Sequence, residues 1–117
     1  MEHEIGLFCE TYGNTIENRV LQFLLENQDI DFAIGDMARE IKISRPKAYA
    51  VIEEFEGKKY AKKTRIVGKT QLYILNKENK IVKLFMRNFK ECLKFLVEEN
   101  RNSASNNNVG IASARRA

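Results

Sequence analysis

Residues 37–75 narrow the possible folds of this chain more than any other stretch. Ile34, Met37, Ala38 and Ile41 recur at i, i+3, i+4 and i+7, the stripe of a short amphipathic helix. The helix predicted over 34–41 has a poor cap, because Ala33 carries no side-chain acceptor. After a tight turn Ser44 supplies a good cap, and Pro46 falls in the first helical turn, where its missing N–H costs nothing. Ala48, Val51, Ile52 and Phe55 give this second helix an inward face, and it ends near Gly57. Tyr60 to Val67 reads as a strand, Gly68-Lys69 as a turn and Gln71 to Leu75 as the return strand. Ile66, Leu72 and Ile74 supply the apolar positions of that hairpin; Arg65, Lys69, Thr70 and Gln71 supply the polar ones. Two short helices joined by a tight turn and followed by a basic hairpin form a compact unit with few alternatives.

The flanks complete a single domain, mainly α with a small β-hairpin, with enough chain for a modest core. Ile5, Phe8, Cys9 and Tyr12 predict a short N-terminal helix or arm within residues 1–13, stopped or bent at Gly13. Asn14 with Glu17 fits a helix start, with Thr15 as the alternative cap. A core helix follows over about 15–28, carrying Val20, Leu21, Phe23, Leu24 and Leu25. Asp31-Phe32-Ala33 reads as a short extended piece, and the helix-turn-helix and hairpin unit spans 14–77. Asn76 is the expected cap of a long last helix over 78–99. There Val82, Phe85, Phe89, Cys92 and Leu96 step by three and four, an a/d seam. Ile81, Leu84, Leu93, Phe95 and Val97 lie beside the seam, and together they make a broader stripe than one side of a small domain normally covers. The seam is either internal core or the interface of a homodimer, and its breadth favours the dimer. Residues 100–117 lack periodicity and read as a disordered tail.

Charge divides the chain. Residues 1–41 hold nine acidic and two basic side chains, residues 42–83 hold twelve basic and four acidic, and residues 84–117 hold six basic and three acidic. The sign therefore changes where the second helix of the pair begins. A clustered basic region is the footprint of a polyanionic partner, or else an ordinary solvated surface. No apolar run approaches a membrane span, and Met1-Glu2-His3-Glu4 lacks the pattern of a signal peptide, so a cytoplasmic protein is expected. Cys9 and Cys92 read as reduced thiols. With His3 as the one histidine, no nucleophile–base set, no phosphate-cradling glycine loop and no metal-ligand spacing emerges. Neither an enzyme nor a cofactor is expected, and no polar cluster points to a small-molecule effector.

The order helix, turn, helix, basic hairpin is a device for placing one helix in a DNA groove with a charged flap beside it. The run from Phe32 to Arg45 resembles the helix-turn-helix of winged-helix regulators of the MarR and TrmB kind, most of all their archaeal single-domain versions. The run from Gly68 to Asn79 resembles their wing and the cap of their C-terminal helix. The resemblance covers about residues 15–97. It implies a winged helix-turn-helix with a long C-terminal dimerisation helix, acting on double-stranded DNA. Two positions depart from the family pattern. Ala33 stands where a Ser or Thr cap is usual, and Lys59 stands where glycine usually follows the second helix.

Mapped on that pattern, the groove-facing residues are Ser44, Arg45, Pro46, Lys47, Tyr49 and Ala50. Arg45 is suited to bidentate contact with guanine or, equally, to a phosphate. Lys47 is better suited to phosphate. Tyr49 either emerges toward the groove or packs on the wing, and Ala50 is small enough to meet a thymine methyl. At the wing, Arg65, Lys69 and Thr70 are placed to meet backbone or minor groove, whereas Lys62 and Lys63 read as solvated strand charges. Transcription regulation is the leading expectation. Protein docking is the other class, and plasmid partition, replication or architectural DNA binding is a variant of the first.

Overall fold

The computed structural model describes residues 12–106, with side chains through residue 99. The expected N-terminal helix and the chain beyond residue 106 lie outside the described residues. Among those described, the order is α1 (Ile16–Glu26), β1 (Phe32–Ala33), α2 (Ile34–Ile41), α3 (Arg45–Gly57), β2 (Ala61–Val67), β3 (Thr70–Leu75) and α4 (Lys80–Asn106). The core is the set the apolar periodicity selects. Val20 and Leu24 of α1, Met37 and Ala38 of α2, and Ala48 and Ile52 of α3 are buried together with Phe32, Ala61 and Leu75 of the sheet. Fully burying an aliphatic side chain stabilises by about 1.5–3 kcal/mol, so these three helices and the sheet depend on one another.

Thr15 is the cap of α1, since its side chain accepts from Asn18 N–H at 3.0 Å; Asn14 is not the cap. Ser44 Oγ accepts from Lys47 N–H at 3.3 Å at the start of α3. As expected, Ala33 makes no side-chain cap at α2. Between α2 and α3 the chain turns through Lys42, whose φ of 59° is left-handed. Ile43 N–H then reaches the Ala38 carbonyl at 3.0 Å. After α3 the same device recurs. Lys59 has φ 65°, Lys59 N–H reaches Glu56 O at 3.0 Å and Tyr60 N–H reaches Phe55 O at 2.8 Å. This is a Schellman ending, with its usual apolar contact supplied by the Phe55 and Tyr60 rings, 5.6 Å apart. The departure at Lys59 therefore leaves the helix end in place: lysine adopts the conformation that glycine would take more cheaply.

The expected hairpin is two strands of a three-stranded antiparallel sheet in the order β1-β3-β2. The extended piece before α2 is its third strand, pairing Phe32 with Tyr73 and Ala33 with Leu72. On the other side Lys63 pairs with Tyr73 and Ile66 with Gln71, so β2 carries one residue more than β3 over that interval. Ile66, one of the apolar positions of the hairpin, is 65% exposed beyond this bulge. Leu72 and Ile74 are half-buried.

The last helix departs most from expectation. It starts at Lys80, because Asn79 Oδ1 accepts from Ile81 N–H at 2.7 Å and Val82 N–H at 3.0 Å. Asn76 is not its cap. The Asn76 amide donates to the Lys59 carbonyl at 2.9 Å and so ties this turn to the end of α3. The helix also continues through Asn106, so residues 100–106 are helical rather than the start of a disordered tail. Asparagine and serine are only modest helix breakers, and their density here concealed the continuation. Nor is the a/d seam uniform. Val82 is wholly buried in its own chain, and Phe85 and Phe89 pack half-buried on the same core. Cys92 is half-buried, while Leu93, Phe95, Leu96 and Val97 are exposed. Val82 is thus unavailable to a partner, and the apolar surface left uncovered lies toward the far end and flank of α4. Among the described residues, no helix is long and apolar enough to cross a membrane.

Candidate nucleic-acid interface

Because Ala48, Val51, Ile52 and Phe55 turn inward, α3 presents its N-terminal residues outward. Ser44, Arg45, Pro46, Lys47, Tyr49 and Ala50 are all exposed, and Tyr49 is 51% exposed. Every residue from Lys62 to Thr70 is exposed as well, including the turn Gly68-Lys69, where Gly68 has φ 65°. Between α3 and the hairpin lies a cleft of about 780 Å³. Arg45 and Tyr49 form one wall, Gly35 and Arg39 of α2 lie at its end, and Arg65, Lys69, Thr70 and Gln71 form the opposite wall. Five of the nine expected contact residues therefore meet at one concavity. Ser44, Pro46, Lys47 and Ala50 are exposed but outside its walls.

The cations around this cleft differ in how they are held. Among the described residues no carboxylate lies within ion-pair distance of Arg45, Lys47 or Lys69. Arg39 pairs with Asp36 at 2.5 Å on the exposed side of α2. The Arg45 side chain folds back over Gly35, where an added Cβ would lie 2.8 Å from its Nη2. Only a residue without a side chain lets the guanidinium lie so close to the start of α2.

Arg65 is held most firmly. Its Nε donates to Asp31 Oδ2 at 2.9 Å and its Nη2 to Asp31 Oδ1 at 3.3 Å. The Thr64 hydroxyl donates to the same carboxylate at 2.8 Å. In a regular strand, residues 64 and 65 would point to opposite faces. The bulge in β2 turns both toward Asp31, and the carbonyl of Arg65 is taken up by the Gln71 amide at 3.1 Å. These bonds hold the Asp31 carboxyl below the usual carboxylate range, through Arg65 first and Thr64 second, and Asp31 in turn raises Arg65. Lys58, at the end of α3, is raised by its bond to Glu54 and stands over the Tyr60 ring at 5.7 Å.

Sequence reasoning did not find the roles of Asp31, Thr64 and Gln71. Asp31 and Arg65 are 34 residues apart, and no periodicity links a loop carboxylate to a strand arginine. One local hint existed: Asp31 immediately precedes the short extended pair Phe32-Ala33, so a strand edge there would have brought its carboxylate to the hairpin.

The arrangement of helix pair, three-stranded sheet with exposed hairpin and long final helix defines a winged helix-turn-helix. Solved structures of MepR share it. One is described as a transcription regulator of the Staphylococcus aureus multidrug efflux pump MepA; it is 22% identical over 91% of this chain and 84% of that one, with a TM-score of 0.58. A point mutant of MepR bound to oligodeoxyribonucleotide is 21% identical, covering 92% of this chain and 84% of that one, with a TM-score of 0.57. MepR in a DNA-binding conformation is 21% identical over 86% and 79%, at 0.56. Likeness of this degree establishes the fold. No family model matches the chain, and no curated protein sequence does.

Proposed function

We propose that this protein is a homodimeric, sequence-specific double-stranded DNA-binding protein of the cytoplasm that regulates transcription. In this reading α3 enters the major groove, and the β2–β3 wing lies on the backbone or minor groove. One observation carries it: Arg45 and Lys69 both line the α3–wing cleft, exposed and without a carboxylate partner among the described residues. Cations left unpaired in this way are poised to displace counterions from a polyanion. A MepR mutant of like fold was solved bound to oligodeoxyribonucleotide, which supports DNA as the partner. Arg45 would read a base or hold a phosphate, Lys47 and Lys69 would bind phosphate, and Ser44 would join them through the helix N-terminus. The pairing surface would be the outer half of α4, with Phe89, Cys92 and Leu96 of the expected seam joined by Leu93, Phe95 and Val97. A two-fold dimer would set two copies of α3 about one DNA turn apart.

Selection of bound duplexes from random DNA at defined salt tests this reading. A single enriched, two-fold motif, with affinity that falls steeply as salt rises, is the expected result. Recovery of no motif and no salt-sensitive binding overturns it.

A further inference from the structure

The Arg65 guanidinium lies between the cleft and Asp31: Arg65 is part of the cleft wall, and Asp31 is not. The Asp31 side chain is only 18% exposed, whereas Arg65 is 66% exposed. Asp31 is fixed from both sides. Phe32, the next residue, is buried and paired to β3, and the Thr64 hydroxyl bonds the carboxylate. The pair uses one N–H of Nε and one of Nη2, which leaves the rest of the five-donor fork free. The guanidinium is therefore attached from behind, with donors still directed outward. We infer that Asp31 is a positioning residue: through its bidentate pair it holds Arg65, before any partner arrives, in the orientation that meets a backbone phosphate of nucleic acid in the α3–wing cleft. This rests on the cleft being the nucleic-acid site.

Two effects of Asp31 compete. Its negative charge weakens the local attraction for a polyanion, and its fixed geometry removes the cost of immobilising a long side chain on binding. The two bonds fix the guanidinium while its remaining donors stay outward, and on that geometry we take the second to be the larger. Removing the charge while keeping the shape should therefore weaken binding.

The test is the salt-dependent affinity of four forms for duplex DNA: parent, Asp31→Asn, Arg65→Gln and the double variant, each first shown to fold by circular dichroism. Asp31→Asn should lower affinity by about three- to tenfold. Arg65→Gln should lower it too and reduce the salt slope by about one phosphate contact. In the Arg65→Gln background the loss should disappear, and Asp31→Asn should leave affinity equal or slightly raised, since only the effect of the charge remains. Thr64→Val removes one of the bonds that fix Asp31 but leaves the guanidinium pair, so it should lose less affinity than Asp31→Asn. Equal or tighter binding by Asp31→Asn overturns the inference, since Asp31 would then only neutralise Arg65. An equal loss in Thr64→Val also overturns it, because the effect would then be on the shape of the wing. If the parent itself shows no salt-sensitive binding, the reading of the cleft fails as well; if parent and Arg65→Gln behave as expected and Asp31→Asn does not, only the present inference fails.

Discussion

The recognition end of α3 and the wing bring similar cations to one cleft but are held by different forces. Beneath Arg45 and Tyr49 lie Ala48, Val51 and Ile52, none more than 6% exposed, so α3 is placed by apolar burial. The wing has no such support between Lys62 and Thr70. It is held by polar contacts: Asp31 with Thr64 and Arg65, the Gln71 amide on the Arg65 carbonyl, and the Lys63–Glu56 pair at 3.8 Å. Burial is indifferent to salt and pH in the neutral range, and exposed charge pairs are not. Changes to the apolar side chains beneath the α3 wall should therefore act on the stability of the whole domain, while changes to the polar contacts of the wing should act mainly on binding.

That contrast can be broken in several ways. Ile52→Ala, at a residue 1% exposed, should cost about 2–5 kcal/mol of folding stability in urea denaturation. A cost below about 1 kcal/mol would mean that α3 does not rest on the core as described. Arg45→Ala should leave stability within about 0.5 kcal/mol, yet weaken binding to a selected site by about 1–3 kcal/mol and relax the preference at one base pair. Unchanged binding would remove Arg45 from the readout. Lys59→Gly should raise stability by about 0.5–1 kcal/mol, because it relieves the left-handed backbone while giving back some unfolded-state entropy. A loss in thermal denaturation would show that the lysine side chain matters more than its backbone.

The smallest effect concerns pH. The Asp31 carboxyl is depressed in the fold, so its contribution is fully present above the ordinary carboxylate value of about 4 and is lost as pH falls through the lowered value. Carbon-13 titration of the Asp31 carboxyl should show that lowered midpoint, and Arg65→Gln should move it back upward. A midpoint unaffected by Arg65→Gln would mean that the pair does not hold the wing in solution.

Much of the buried half could be read in advance, because periodicity is a local signal. Ile34, Met37, Ala38 and Ile41 are buried as their spacing predicts, and so are Ala48, Val51, Ile52 and Phe55. The polar lock at the base of the wing was not legible. It depends on a bulge and on a contact across 34 residues of sequence, and neither leaves a repeating mark. Helix ends were intermediate. Ser44 announced itself, but Asn76 and Asn79 are the same residue type three positions apart. Which of them caps α4 was decided by Asn76 being drawn to the Lys59 carbonyl. The seam on α4 misled for a further reason: a regular stripe does not say whether its apolar residues face their own chain or another. Val82 turned out to face its own.

The 27 residues of α4 make it a lever. It would span about 40 Å, in a molecule whose longest extent is 56 Å. Its fulcrum is near Val82, with Phe85, Met86 and Phe89 as the bearing, and from Leu93 to Glu99 every side chain clears the core. A tilt of about 5° at that fulcrum would carry the far tip through some 3 Å, roughly the rise of one base pair. In the proposed dimer, where the tips are joined, the motion runs the other way. Anything that shifts the packing of a few side chains at the bearing would change the distance between the two copies of α3, and so the spacing of sites that the pair can span.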